Sequence, residues 1–162
     1  MRCVLWTYKC ARCGTAYEAP ELAEGAYGAF LMRSTGKGAT AYLNALDDPV
    51  YDEVTAILLD SPHSRRMTAR QRADVLQSLF GVACDRDSDG SEFEIGRPPA
   101  CPKCGSCQPE SWEVCDPPKW KDEEVPTVSH EQWFKLGEQE RKAVVFRRLH
   151  EIMHRARGST ED

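Results

Sequence analysis

The 162-residue sequence lacks a long apolar run, although 41% of its residues are hydrophobic. A helix that spans a bilayer needs roughly 20 consecutive apolar residues, and no run here approaches that length. The first ten residues, MRCVLWTYKC, contain one early arginine and no apolar segment of signal-peptide length. We therefore expect a protein that is not exported, has no membrane partner and resides in the cytoplasm.

The sequence also lacks an excess of positive charge, since its formal net charge is −5 at pH 7. Proteins that bind nucleic acids mainly through the phosphates present a broad basic surface. Arg65 and Arg66 supply only a local basic patch in front of a predicted helix. The composition therefore disfavours a nucleic-acid partner, although a nucleic-acid-associated protein stays an alternative.

Eight cysteines stand out in a chain of this length and composition. Because no export signal is present, we expect the thiols to meet a reducing compartment, where disulfides are rare. Metal ligation together with a few free thiols explains the cysteines better than disulfide bonds do. Disulfides stay the less favoured alternative.

Four of these cysteines form two CxxCG segments, Cys10–Gly14 and Cys101–Gly105. A CxxC turn directs two sulfurs to a common point, and the glycine after it can adopt the positive φ that lets nearby amides face the thiolates. Two such turns complete a tetrahedral site for one ion, and four thiolates leave no open position for a reacting water. Cys107 could replace Cys104 as a ligand, but Cys104 is the favoured ligand because the glycine of the CxxCG segment follows it. The predicted metal ligands are Cys10, Cys13, Cys101 and Cys104.

The two CxxCG segments and their flanking strands resemble the knuckles of rubredoxins and of the wider zinc-ribbon group. The resemblance implies a small β-sheet with the four sulfurs around one ion. Residues 14–100, 87 in all, separate the two segments, far more than in the usual connection of that group. We therefore expect one structural Zn²⁺ rather than iron, and a rubredoxin-like electron carrier stays an alternative.

We predict an α+β fold in which a small zinc-ribbon sheet is interrupted by a long helical insertion and followed by a C-terminal helix. The early segment Cys3–Lys9 is rich in β-branched and aromatic residues, which favour a strand. The predicted segments are the first half of the ribbon (1–19), a mainly helical insertion (20–99), the second half of the ribbon (100–118), and a linker with a helical tail (119–162).

Capping residues and apolar spacing predict three helices. Asp48 followed by Pro49 starts the first, the capping box Thr68–Gln71 starts the second, and residues 138–157 form the third. Residues 27–33 are compatible with either a short strand or a helical turn. The apolar stripe of the third helix consists of Val145, Leu149, Ile152 and Ala156.

The segment His150–His154 reads HExxH, a helical motif in which two histidines bind zinc and the glutamate activates water. At about 100° per residue, both histidines lie on the face opposite the apolar stripe. Only eight residues follow His154, so a third ligand of the usual downstream type is missing. We favour a surface helix with two ordinary histidines, with a hydrolase that uses His150, Glu151 and His154 as an alternative.

Asp85, Asp87 and Asp89 followed by Gly90 resemble the start of a calcium loop. The twelfth position of such a loop needs a bidentate glutamate, and Gly96 stands there instead. We therefore expect a polar surface turn.

Together these patterns predict a non-catalytic zinc-binding protein that acts by binding another macromolecule, most plausibly a protein. Such a protein would serve as an adaptor, a regulator or a neutralising partner. Trp120, Trp133 and Phe134 are candidate contact residues, although aromatic side chains also dominate cores and each is individually better explained by packing. No catalytic or cofactor-binding residue is predicted.

Overall fold

The computed structural model describes residues 1–36 and 38–158, with side chains up to Arg155, and it confirms the α+β class. It contains two antiparallel sheets, four α-helices and two short 3₁₀ turns among these residues. The division of the chain into four segments stays a prediction. The elements, in chain order, are β1 (Arg2–Cys10), β2 (Ala16–Glu21), β3 (Ala29–Ser34), β4 (Thr40–Asn44), α1 (Pro49–Asp60), α2 (Ala69–Leu79), β5 (Phe93–Glu94), β6 (Pro109–Val114), β7 (Trp120–Asp122), α3 (Glu131–Lys135) and α4 (Glu138–Gly158).

The first sheet, called the ribbon sheet here, consists of β1, β2, β6 and β7. Strand β1 is central, with β2 on one edge and both β6 and β7 on the other. Tyr8 of β1 therefore lies between Tyr17 of β2 and Trp112 of β6. The sheet joins the two ends of the sequence that carry the CxxCG segments.

The second sheet, called the insertion sheet, has the strand order β4-β3-β5. This sheet lies within the segment that was predicted to be mainly helical. Residues 27–33, for which the sequence allowed a strand or a helical turn, contribute to a strand, since β3 covers Ala29–Ser34. The prediction missed this sheet because β5 has only two residues and pairs with β3 across nearly 60 residues of sequence. So short a strand leaves no alternation of polar and apolar residues to detect.

The three predicted helices are confirmed, the first two together with their start signals. The Asp48 carboxylate accepts hydrogen bonds from the amides of Val50 and Tyr51 and so caps α1. Thr68 and Gln71 form the reciprocal capping box of α2. In α4 the apolar stripe is buried at Val145 and Leu149 and partly buried at Ile152, while the side chain of Ala156 lies outside the described residues.

One hydrophobic core joins the insertion to the C-terminal helices. It packs the insertion sheet, α1 and α2 against Trp133 of α3 and against α4. The predicted tail therefore belongs structurally to the insertion. Among the described residues, no helix combines the length and the apolarity needed to cross a bilayer. The largest fully buried side chains of this core are Trp133, Phe80, Met32, Leu43, Leu58, Leu79, Leu149, Val50, Val54 and Val145.

Arg33 at the end of β3 connects the insertion to the ribbon sheet. Its guanidinium donates hydrogen bonds to the carbonyl oxygens of Pro20 (2.9 Å) and Arg97 (3.0 Å), and it pairs with the Glu21 carboxylate at 2.6 Å. The Tyr17 hydroxyl adds a hydrogen bond of 2.8 Å to the carbonyl oxygen of Pro99. These bonds fix the point where the chain leaves the ribbon and returns to it.

Candidate metal centre

The two CxxCG segments have the same backbone structure. In each, the glycine amide donates to the carbonyl of the first cysteine, from Gly14 to Cys10 at 2.9 Å and from Gly105 to Cys101 at 2.8 Å. Gly14 has φ +70° and Gly105 has φ +72°, which side chains rarely tolerate. A Cβ at either glycine would meet no atom within 4 Å, so backbone conformation rather than space requires glycine.

The turns bring the sulfurs of Cys10, Cys13, Cys101 and Cys104 within 4.8 Å of one another. Cys10 Sγ lies 3.6 Å from Cys104 Sγ, and Cys13 Sγ lies 3.6 Å from Cys101 Sγ. Metal–sulfur bonds of about 2.3 Å place the corners of a tetrahedron about 3.8 Å apart, so these separations fit one four-thiolate ion. Each close pair joins one segment to the other, and an ion here would therefore tie β1 to the chain before β6.

The surroundings of the four sulfurs shift the pKa values of Cys13 and Cys104 in opposite directions. The hydroxyl and the amide of Thr15 lower the pKa of Cys13 to about 6. The amide of Ser106 favours a thiolate at Cys104, but desolvation and the neighbouring sulfurs outweigh it and raise its pKa to about 11. Burial and the neighbouring sulfurs thus oppose a thiolate at Cys104, and a metal ion at this position would supply the positive charge that stabilises four adjacent thiolates.

The remaining cysteines lie outside this group. Cys107 is partly exposed and is not among the four clustered sulfurs, whereas Cys104 is. Cys3, Cys84 and Cys115 are buried free thiols. Burial raises the pKa of the Cys84 thiol far above its ordinary value, which disfavours the thiolate, the reactive form of cysteine.

The HExxH residues are at the surface of α4. His150, Glu151 and His154 are all exposed, and Glu151 pairs with Arg148 at 3.2 Å. In the described part of the chain, the four cysteines form the one group of three or more potential metal ligands. The structure thus brings the two histidines together without adding a third ligand from the described residues.

The aspartates of the calcium-like turn make hydrogen bonds within the fold. Asp85 accepts from the amides of Glu131 and Gln132, both at 2.8 Å, and from the Ser129 hydroxyl at 2.7 Å. Burial disfavours its ionisation, but these bonds outweigh burial and lower its pKa. Asp87 accepts from the Ser34 hydroxyl and from nearby amides. Asp85 therefore holds the start of α3 in place.

The three candidate contact residues differ in exposure. Trp133 is 2% exposed and belongs to the core, where its indole N–H donates to Glu53 at 2.9 Å. Phe134 is 60% exposed and Trp120 is 48% exposed, with the Arg2 guanidinium over the Trp120 ring. The packing interpretation is thus correct for Trp133 alone.

Sequence reasoning missed an aromatic face on the ribbon sheet. Alternate residues of β1 share a face, and residues directly opposite in an antiparallel pair point to the same side. Trp120 lies opposite Val4, and Trp112 lies opposite Tyr8, with Trp6 between them on β1. The register therefore places Trp6, Trp112 and Trp120 on one face. The alternation of Val4, Trp6 and Tyr8 along β1 was the available sequence signal for this face. The tryptophans that β6 and β7 add to it can be identified only once the strand register is known.

Part of this aromatic face borders a cleft of about 440 Å³ between the ribbon and the insertion. Trp6, Tyr8 and Trp112 line one side, and Phe30 and Pro98 line the other. The one carboxylate in its lining, Glu21, already accepts from Tyr8 at 2.5 Å. The indole N–H of Trp6 is closed off from solvent and has no hydrogen-bond partner among the described residues. The lining therefore combines four aromatic side chains with the charged groups of Glu21, Arg33 and Arg97.

Comparison of this chain with protein-family models, with curated proteins and with solved structures gives no match.

Proposed function

We propose that this protein is a non-catalytic, cytoplasmic zinc-binding protein that acts by binding another protein through the aromatic face of its ribbon sheet. One structural Zn²⁺ would be held by the four clustered cysteines. Four sulfur ligands saturate the ion, which is then suited to stabilise the fold and not to activate water. Zinc is favoured over iron because nothing in the arrangement requires a change of oxidation state.

The observation that carries the binding proposal is the grouping of three tryptophans on one face, with Trp112 57% exposed and Trp120 48% exposed. Tryptophan, tyrosine and arginine supply most of the energy in protein interfaces, and monomeric surfaces seldom group exposed indoles without a use. Arg2 already stacks on Trp120, and Arg97 borders the neighbouring cleft. The face therefore combines the residue types of an interaction hot spot.

The experiment compares protein capture by the wild type with capture by the double variant Trp112→Ala/Trp120→Ala. Affinity capture with quantitative mass spectrometry should recover a specific protein with the wild type and lose it with the double variant. Phe134→Ala is the matched control, since it removes an equally exposed aromatic side chain from α3. Loss of the partner in Phe134→Ala, with retention in the double variant, would assign binding to α3 and contradict the proposal.

The three alternatives give different results. A hydrolase of the HExxH type should lose activity in Glu151→Gln, and an electron carrier should purify red with iron. A nucleic-acid-associated protein should bind with an affinity that falls steeply with salt and weakens in Arg65→Ala/Arg66→Ala. Metal analysis after dialysis against a mild chelator should give one tightly bound zinc per chain under the proposal.

A further inference from the structure

The proposed function makes no use of the paired histidines on α4. His150 and His154 are one helical turn apart and exposed, and their Nε2 atoms lie 3.0 Å from each other. Their rings are tilted by 55°, with the ring centres 4.2 Å apart. The i,i+4 spacing makes the two side chains neighbours on one face of the helix, and the two Nε2 atoms come within reach of a single ion.

A straight hydrogen bond between the two rings does not fit this geometry. Such a bond would add one ring radius at each end of the 3.0 Å separation, and would put the ring centres well over 4.2 Å apart. The rings are tilted, so the contact between the two Nε2 atoms is at best a bent hydrogen bond. A cation that takes the place of the shared proton would lie within reach of both Nε2 atoms.

We propose that His150 and His154 form a second metal site, distinct from the four cysteines, for a divalent transition cation bound through both Nε2 atoms. Metal–nitrogen bonds of about 2.05 Å across a 3.0 Å separation give an N–metal–N angle of about 94°. An angle near 90° is that of octahedral and square-planar ions. Ni²⁺ and Cu²⁺ adopt these geometries and bind imidazole more tightly than most divalent ions do.

Glu151 is not a ligand of this site. Its carboxylate lies 3.2 Å from Arg148 Nε, and its oxygens do not cluster with the ligand nitrogens of both histidines. Within the described residues, no further His, Cys, Asp or Glu forms a group of three with the two histidines. The site therefore supplies two protein ligands and leaves the other coordination positions to water or to a ligand from another molecule.

The test is a calorimetric titration of Ni²⁺ into the full-length, zinc-loaded protein at pH 7.5. One Ni²⁺ should bind per chain with no release of zinc. His150→Ala and His154→Ala should each lower the affinity by about tenfold or more, because a chelate becomes a single ligand. His63→Ala removes an exposed histidine elsewhere and should bind Ni²⁺ like the wild type.

Glu151→Gln separates this site from a hydrolase site and should also bind Ni²⁺ like the wild type. Unchanged affinity in His154→Ala would overturn the proposal, and so would release of one zinc for each Ni²⁺ bound. Loss of Ni²⁺ binding in Glu151→Gln would overturn it as well, because the glutamate would then be a ligand. None of these outcomes depends on the ribbon face, so the binding function is tested separately.

Discussion

The ribbon sheet buries few apolar side chains, whereas the insertion and α4 share an extensive hydrophobic core. The buried residues of the ribbon strands include Cys3, Val4, Tyr8 and Ala19, and none of them belongs to that core. A small sheet with so little buried apolar area needs another source of stability, such as a metal. The two regions thus differ in what stabilises them: packing holds the insertion and α4 together, whereas the ribbon sheet is the part that a metal ion at the four cysteines would stabilise.

Loss of the metal should have the largest effect and should fall on the ribbon. A structural zinc contributes on the order of 10 kcal/mol to folding in small zinc domains, so Cys101→Ser should unfold the ribbon sheet. Hydrogen exchange should show loss of protection in β1, β2 and β6, with protection kept in α1 and α4. Cys107→Ser is the control and should leave both regions protected. Equal loss in the two regions would contradict the comparison.

Arg33→Ala should separate the ribbon from the insertion. The Arg33 side chain is 10% exposed, and its removal leaves the Glu21 carboxylate without its charged partner. Breaking such a pair costs about 3–5 kcal/mol, which urea denaturation would measure. Arg86→Ala is the control, because the Arg86 side chain is 60% exposed and Glu92 keeps Arg148 as its second charged partner, so the loss should be about 1 kcal/mol or less. Equal effects of the two substitutions would refute the connecting role.

Leu149→Ala should weaken the insertion core without loss of zinc. Leu149 is fully buried in α4, and truncation of a buried leucine costs about 2–5 kcal/mol because it leaves a cavity. Denaturation should give the loss in stability, and metal analysis should give unchanged zinc. Phe146→Ala on the same helix removes a partly exposed side chain and should have a smaller effect. Release of zinc by Leu149→Ala would show that the two parts are not independent.

Acid should weaken the insertion core through Glu53. Burial disfavours the ionised Glu53 carboxylate, but hydrogen bonds from Trp133 and Arg141 outweigh burial and lower its pKa. Its contribution is therefore fully present above the pKa of the unfolded chain and is lost as the pH falls through the lower pKa of the folded protein. Glu53→Gln should reduce the decline in unfolding free energy between pH 5 and pH 3, as urea titrations would measure. An unchanged decline would exclude this role.

Local signals in the sequence predicted the helices and the knuckles, because their determinants lie within a few residues. Asp48 and Pro49 start α1, Thr68 and Gln71 start α2, and CxxCG contains the whole turn. Each of these patterns corresponds to hydrogen bonds between residues close in sequence. The α+β class and the grouping of the four cysteines followed from them.

The insertion sheet and the aromatic face could not be predicted in the same way. Ser34 pairs with Phe93, and Tyr8 pairs with Trp112, across long stretches of sequence. Such pairs depend on the register between strands, which tertiary packing determines. The exposure of Trp120 and the burial of Trp133 also depend on which elements pack against them, and this packing cannot be predicted from composition.

The bonds of Arg33 to the carbonyls of Pro20 and Arg97 have a consequence for how such a protein can arise. A single guanidinium reaches both, so the chain departs from the ribbon sheet and rejoins it at adjacent points. The loop-closure entropy of a connection grows only with the logarithm of its length, so a long connection between two adjacent points costs little more than a moderate one. A short hairpin connection could therefore be replaced by an entire folded unit during evolution, while the group of four cysteines stays intact.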